Sequence, residues 1–164
     1  NAVIVPFDPA GTGEVCVYAY RGTDVIVDVA GWFSATVHPV ATRLLDTRLA
    51  GRLGAGAVLE VPVPDAGAGA ALNVTAVLPS SAGHLTVWDC AADEPDTSSV
   101  NYAAGAVEPN AVLVPFGAGS SGTVCIRTYA ETDVVVDLAG WFDAGLEPAA
   151  GRIVDTRYGV GPRP

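Results

Sequence analysis

Thr132-Asp-Val-Val-Val-Asp-Leu-Ala-Gly-Trp-Phe142 has a near twin earlier in the chain, Thr23-Asp-Val-Ile-Val-Asp-Val-Ala-Gly-Trp-Phe33. Each copy alternates polar and apolar residues and closes on Ala-Gly-Trp-Phe, the pattern of a half-buried β-strand. Period 2 sets Val134, Val136 and Leu138 on one face and Asp133, Val135 and Asp137 on the other. The same split separates Val25, Val27 and Val29 from Asp24, Ile26 and Asp28.

Outward from this pair the likeness continues. Sliding the sequence by 109 positions brings Asn1 onto Asn110, Cys16 onto Cys125, Trp32 onto Trp141, Pro39 onto Pro148 and Arg48 onto Arg157. Of the 48 positions from 1 to 48, 26 are identical in 110 to 157, which makes a tandem repeat the strongest statement in the sequence. The chain is out of phase with that repeat. Residues 1–42 read as the C-terminal half of one unit, 43–150 as a complete unit, and 151–164 as the opening strand of a following unit or an exchange strand.

Within the complete unit, strands are expected at Val58–Val63, Ala71–Pro79, Gly83–Cys90 and Ser98–Ala103, with Pro62 favouring a sheet edge. The repeat adds strands matching Asn1–Phe7, Glu14–Tyr20 and Thr23–Phe33, with Asp8–Gly13 as a turn. About eight strands at this spacing predict an antiparallel β-sandwich repeat, Ig-like or jelly-roll-like with Greek-key connections. A weaker likeness between Asn73–Cys90 and Asn110–Cys125 keeps a pseudo-threefold trefoil or prism as the alternative.

The chain's 164 residues are half hydrophobic, with 19 Gly and 12 Pro that suit short strands and tight turns. No apolar run approaches the roughly 18–20 residues that span a bilayer. Net charge is −10, every basic residue is Arg, and Lys, Gln and Met are absent. An acidic surface with scattered Arg argues against nucleic acid or anionic lipid as partner. Lysine's absence excludes a Lys–Asn isopeptide bond and a Walker-type phosphate loop. Without Met, the chain is expected to be excised from a precursor, with a signal peptide upstream.

Cys90 and Cys125 belong to the complete unit at matching depth in two predicted strands, so a disulfide is expected, and with it a secreted or cell-surface location. Cys16 is the counterpart of Cys125, but its partner would precede Asn1. Two readings stand: an intermolecular bridge, or a buried free thiol.

Paired aspartates at i and i+4 invite a metal or acid–base reading. Pairing with turn amides or with Arg of the Arg-x-x-Asp-Thr-Arg segment is the commoner arrangement. Arg43, Asp46 and Arg48, with counterparts Arg152, Asp155 and Arg157, read as a structural turn locking one unit onto the next. The acidic stretch Asp89–Asp96 is the best calcium candidate, although it lacks EF-hand order, and no metal or cofactor is assigned. If Leu85 and Val87 point inward, His84, Thr86 and Trp88 point outward, as do Cys125, Arg127 and Tyr129. Trp88, Tyr129 and His84 then form a candidate ligand platform for a sugar ring, against the plainer reading that Trp88 covers the disulfide. Trp32 and Trp141, each after Gly, read as structural, the glycine allowing close backbone approach while the indole closes the end of the core. Asn73-Val-Thr75 matches a glycosylation sequon. His-Glu-x-x-His, Gly-x-Ser-x-Gly, Cys-x-x-Cys and Gly-x-Gly-x-x-Gly are all absent, and no nucleophile, base and orienting group can be assembled.

Arg-Leu-Leu-Asp-Thr-Arg, Leu-Asn-Val-Thr-Ala-Val, Leu-Thr-Val-Trp-x-Cys, Ser-x-Asn-Tyr, Asn-Ala-Val-x-Val-Pro, Val-Cys and Val-Val-Asp-x-Ala-Gly-Trp-Phe together carry a resemblance. The chain resembles the roughly 100-residue tandem β-repeat of secreted and cell-surface actinobacterial proteins. The resemblance implies an extracellular β-domain and transfers no activity to particular residues. The expected function is a non-catalytic structural or adhesive module that self-associates, forming a fibre by strand exchange. The alternative is a carbohydrate-binding module appended to a secreted cell-wall or polysaccharide-active enzyme.

Overall fold

The computed structural model describes residues 14–33, 36–144 and 146–159. The expected strand Asn1–Phe7 and turn Asp8–Gly13 lie outside them, as do the side chains of Trp32, Arg152 and Asp155. The elements are β1 (Ile26–Phe33), β2 (Val37–Asp46), the single turn α1 (Thr47–Ala50), β3 (Val58–Pro62), β4 (Gly69–Val77), β5 (Gly83–Asp89), β6 (Val100–Tyr102), β7 (Val107–Pro115), β8 (Thr123–Thr128), β9 (Asp133–Phe142) and β10 (Leu146–Asp155). They fall into two compact units: residues 36–144, and residues 14–33 with 146–159.

The first unit is a sandwich of two antiparallel four-stranded sheets, β2-β9-β4-β7 and β3-β8-β5-β6. The pairs nest, β5 on β6, β4 on β7, β3 on β8 and β2 on β9, which is a long hairpin rolled into a jelly roll. The open choice between Ig-like and jelly-roll-like topology thus resolves to the latter, and the threefold alternative does not hold. The unit takes in Val37–Thr42 ahead of Arg43.

Alternation explains the layers. Ala70, Leu72, Val74 and Ala76 of β4, with Val134, Val136 and Leu138 of β9 beside them, face Leu85 and Val87 of β5 and Val124 and Ile126 of β8 in one core. β4 is buried along nearly its whole length because it is central. At the sheet end, the ladder sets Trp141 opposite Ala70 and Phe142 opposite Gly69; Phe142 is fully buried there and Trp141 half-buried. A Cβ on Gly140 would meet the His38 carbonyl at 2.8 Å, so glycine is what lets β2 approach β9 there.

All four edge strands are blunted against pairing with another chain. β2 carries Pro39 and two register shifts, β7 carries Pro109 and Pro115, β3 carries Glu60 and Pro62, and β6 has three residues.

In the second unit, β1 and β10 form a two-stranded antiparallel sheet. Glu14–Tyr20, expected as a strand, belongs to no ladder. Its repeat counterpart β8 lies between β3 and β5, and no such neighbours flank it among the described residues. Accordingly Val15 and Val17 are 44% and 58% exposed, whereas their counterparts Val124 and Ile126 are fully buried.

Candidate functional site

Three groups of polar and aromatic side chains stand out, and each is best understood from the strands that carry it. The first lies on the outer face of β3-β8-β5-β6. Register puts Trp88 opposite Cys125 and Thr86 opposite Arg127. The expected Cys90–Cys125 disulfide is present and straps the segment after β5 onto β8. That segment folds back over the sheet: Thr86 donates to the Thr97 carbonyl at 2.9 Å and is buried, and Arg127 pairs with Glu94 at 2.7 Å. At the far end the rings of His84 and Tyr129 stack with centroids 5.4 Å apart, and Tyr129 is 63% exposed. The structure therefore brings His84 and Tyr129 together and sets Trp88 apart. Tyr129 follows Cys125, the partner of Trp88, by four residues, or about 14 Å along a strand.

Asp89 ends β5, and it is buried. Its carboxylate accepts from Ser120 Oγ at 2.7 Å, Gly117 N at 3.0 Å and Ala91 N at 3.1 Å. Burial pushes its pKa up, but these bonds together outweigh that and hold it below the usual value. The best calcium candidate thus spends its first carboxylate on tying two loops, and Glu94 is spent on Arg127. Among the described residues no cluster of three or more His, Cys, Asp or Glu could hold a metal ion.

The third group joins β2 and α1 to β9. Arg43 grips Asp137 with Nε to Oδ1 at 2.7 Å and Nη2 to Oδ2 at 3.2 Å. Asp46 caps α1 by accepting from Arg48 N, and it takes the Arg48 and Arg43 guanidinium groups as well. These contacts lower its pKa to about 2, the Arg48 hydrogen bond being the largest cause. Thr47, 2% exposed, donates to Asp133 Oδ1 at 3.0 Å and accepts from Val134 N at 2.8 Å. Arg52 Nη1 holds the other Asp133 oxygen at 3.0 Å. The paired aspartates are strand fasteners.

The second unit repeats this arrangement. Each of the seven β1–β10 partnerships, from Phe33↔Leu146 to Ile26↔Asp155, equals a β2–β9 partnership shifted by 109, register shifts included. Thr156 donates to Asp24 at 3.2 Å and accepts from Val25 N at 2.9 Å, as Thr47 does with Asp133 and Val134. Arg157 stands over the Tyr158 ring at 5.2 Å. Sequence reasoning singled out the flanking charges and passed over the threonines. Their identity at the repeat spacing was the available signal.

Cys16 is free and exposed, which corrects the buried-thiol reading. Asn73 lies within central strand β4, half-buried. At the unit's other end His38 stacks on Trp141 at 3.7 Å and contacts Asp143 at 2.8 Å.

The geometry defines a disulfide-strapped jelly-roll module with a twice-made closing ladder. No family model, curated protein or solved structure matches the chain. The disulfide fits an oxidising, extracellular-type environment, and no helix among the described residues is long and apolar enough to cross a membrane.

Proposed function

We propose that the chain is a non-catalytic structural and adhesive repeat module of the cell exterior, of the kind found in tandem on secreted and surface proteins of actinobacteria, and that it assembles through strand exchange. The observation that carries this is the duplicated closing ladder with its threonine fastener. Carboxylates that elsewhere serve chemistry are here engaged in holding strands: Asp137 by Arg43, Asp133 by Thr47 and Arg52, and Asp89 by two amides and a hydroxyl. Labelling of intact source cells and culture medium with an antibody raised against the folded protein tests the location. Signal at the surface or in the medium is expected. Signal confined to the cell interior overturns the reading.

A second reading, a carbohydrate-binding module, draws on one observation. Exposed Tyr129, stacked on half-buried His84, offers a flat apolar face beside polar edges, as sugar recognition requires. Binding on a broad glycan array that Tyr129→Ala abolishes, with the fold retained, selects this reading over the first.

A further inference from the structure

The closing ladder forms with either strand first in the chain. In the first unit the β2-type strand precedes its β9-type partner. In the second unit the order is reversed, with β1 (the counterpart of β9) before β10 (the counterpart of β2). Register and fastener are the same in both. Recognition therefore resides in the strand pair and is independent of the covalent path between its members. From this we infer that β10 of one copy of the chain pairs with β1 of a second copy, in the register Ile26↔Asp155 through Phe33↔Leu146, joining copies head to tail. The inference rests on the structural-module reading and names its partner and its joint.

Further observations favour a second copy as occupant. A two-stranded sheet is marginally stable alone in water, so its opening costs little. Each exchanged joint restores the ladder bonds and the Thr156 fastener of the closed form, so a growing assembly loses only the joint at its ends and the entropy of association. Among the described residues, the four sandwich edges are blunted and the β1–β10 joint is not part of them. Because donor and acceptor are different surfaces, the contact is heterologous and can repeat from copy to copy, as an open chain or a closed ring. Val15 and Val17, exposed beside β1 in sequence, add apolar surface that association can cover.

Disulfide trapping tests this directly. Val27 and Val154 are direct ladder partners. In a Cys16→Ser chain, Val27→Cys and Val154→Cys are made separately, mixed at high concentration, incubated warm and oxidised. A covalent heterodimer is expected from the mixture and little from either chain alone. The doubly substituted chain gives a ladder of multimers whose share rises with concentration. Pairing Val27→Cys with Arg152→Cys, which lies opposite Asp28, gives several-fold less product. Monomer alone at every concentration overturns the inference, as does equal dimer from Val27→Cys by itself, which would mean β1 on β1. Either result removes assembly through this joint and leaves the non-catalytic, cell-exterior part of the reading standing, since that part fails on cellular location.

Discussion

Thr47 and Asp133, 86 positions apart, are joined by a 3.0 Å hydrogen bond that fastens the start of α1 to the start of β9. Thr47 also accepts from Val134 N, so its hydroxyl serves as donor and acceptor at once in a buried place. Thr47→Val keeps the shape and removes both roles, leaving a buried amide unpaired. The expected loss is about 2–3 kcal/mol of unfolding free energy, read from a urea titration. Thr47→Ser recovers most of it, and a Thr47→Val protein as stable as the parent would refute the fastener.

Acid weakens the same corner through Asp46. Its folded pKa is about 2, against an ordinary value of 3.8, so the unfolded chain binds the proton more readily between them. The contribution is complete above pH 3.8, diminishes as pH falls below it, and is gone once pH passes below about 2. Melting temperature followed from pH 5 to pH 2 falls more in the parent than in Asp46→Asn, which begins lower.

Removing the disulfide with Cys90→Ala and Cys125→Ala frees a segment closed across 35 positions. A loss of about 3–4 kcal/mol is expected from chain entropy. Protease cleavage within residues 91–98, absent in the oxidised parent, gives an independent readout.

Gly69 lies under the Phe142 ring, where an added Cβ would come within 2.2 Å of a ring carbon and 2.7 Å of the Val114 carbonyl oxygen. Gly69→Ala is expected to cost about 1–3 kcal/mol through overpacking. Gly54→Ala, with nothing within 4 Å of the new methyl, shifts the urea midpoint little.

Tyr129→Ala and Trp88→Ala separate two ideas about the outer face. Tyr129 is exposed and shares its face with His84, so its loss leaves stability unchanged within about 0.5 kcal/mol. Trp88 is half-buried opposite the disulfide, and its truncation lowers the melting temperature. Equal effects from the two would contradict this division.

Much of the sandwich was legible because one-sided burial imposes period 2, and Val134, Val136 and Leu138 follow it. The disulfide was legible through the repeat, which assigned Cys90 and Cys125 to one unit. Sheet partnership was not, because the same alternation serves Ig-like and jelly-roll orders alike, and only long-range pairing distinguishes them. Glu14–Tyr20 shows this clearly. It alternates as its counterpart β8 does, yet it joins no ladder, because a strand is made by neighbours as well as by its own residues. The site was harder still. Thr47 drew no notice between Asp46 and Arg48, since a threonine's worth depends on what a hydroxyl meets across the fold. Asp89 read as one of several loop acids until three donors from separated positions converged on it.

Val37 and Phe142 face each other at the end of the β2–β9 ladder, so the sandwich is entered and left at one point. Its response to tension follows. A pull applied at residues 36 and 143 meets that ladder end-on, parting its bonds in succession from Phe142 inward rather than shearing them together. The unit would thus yield gradually, as a zip does. The bond between Cys90 and Cys125 then keeps the chain between them from paying out, which limits how far each unit can lengthen before covalent linkage bears the load.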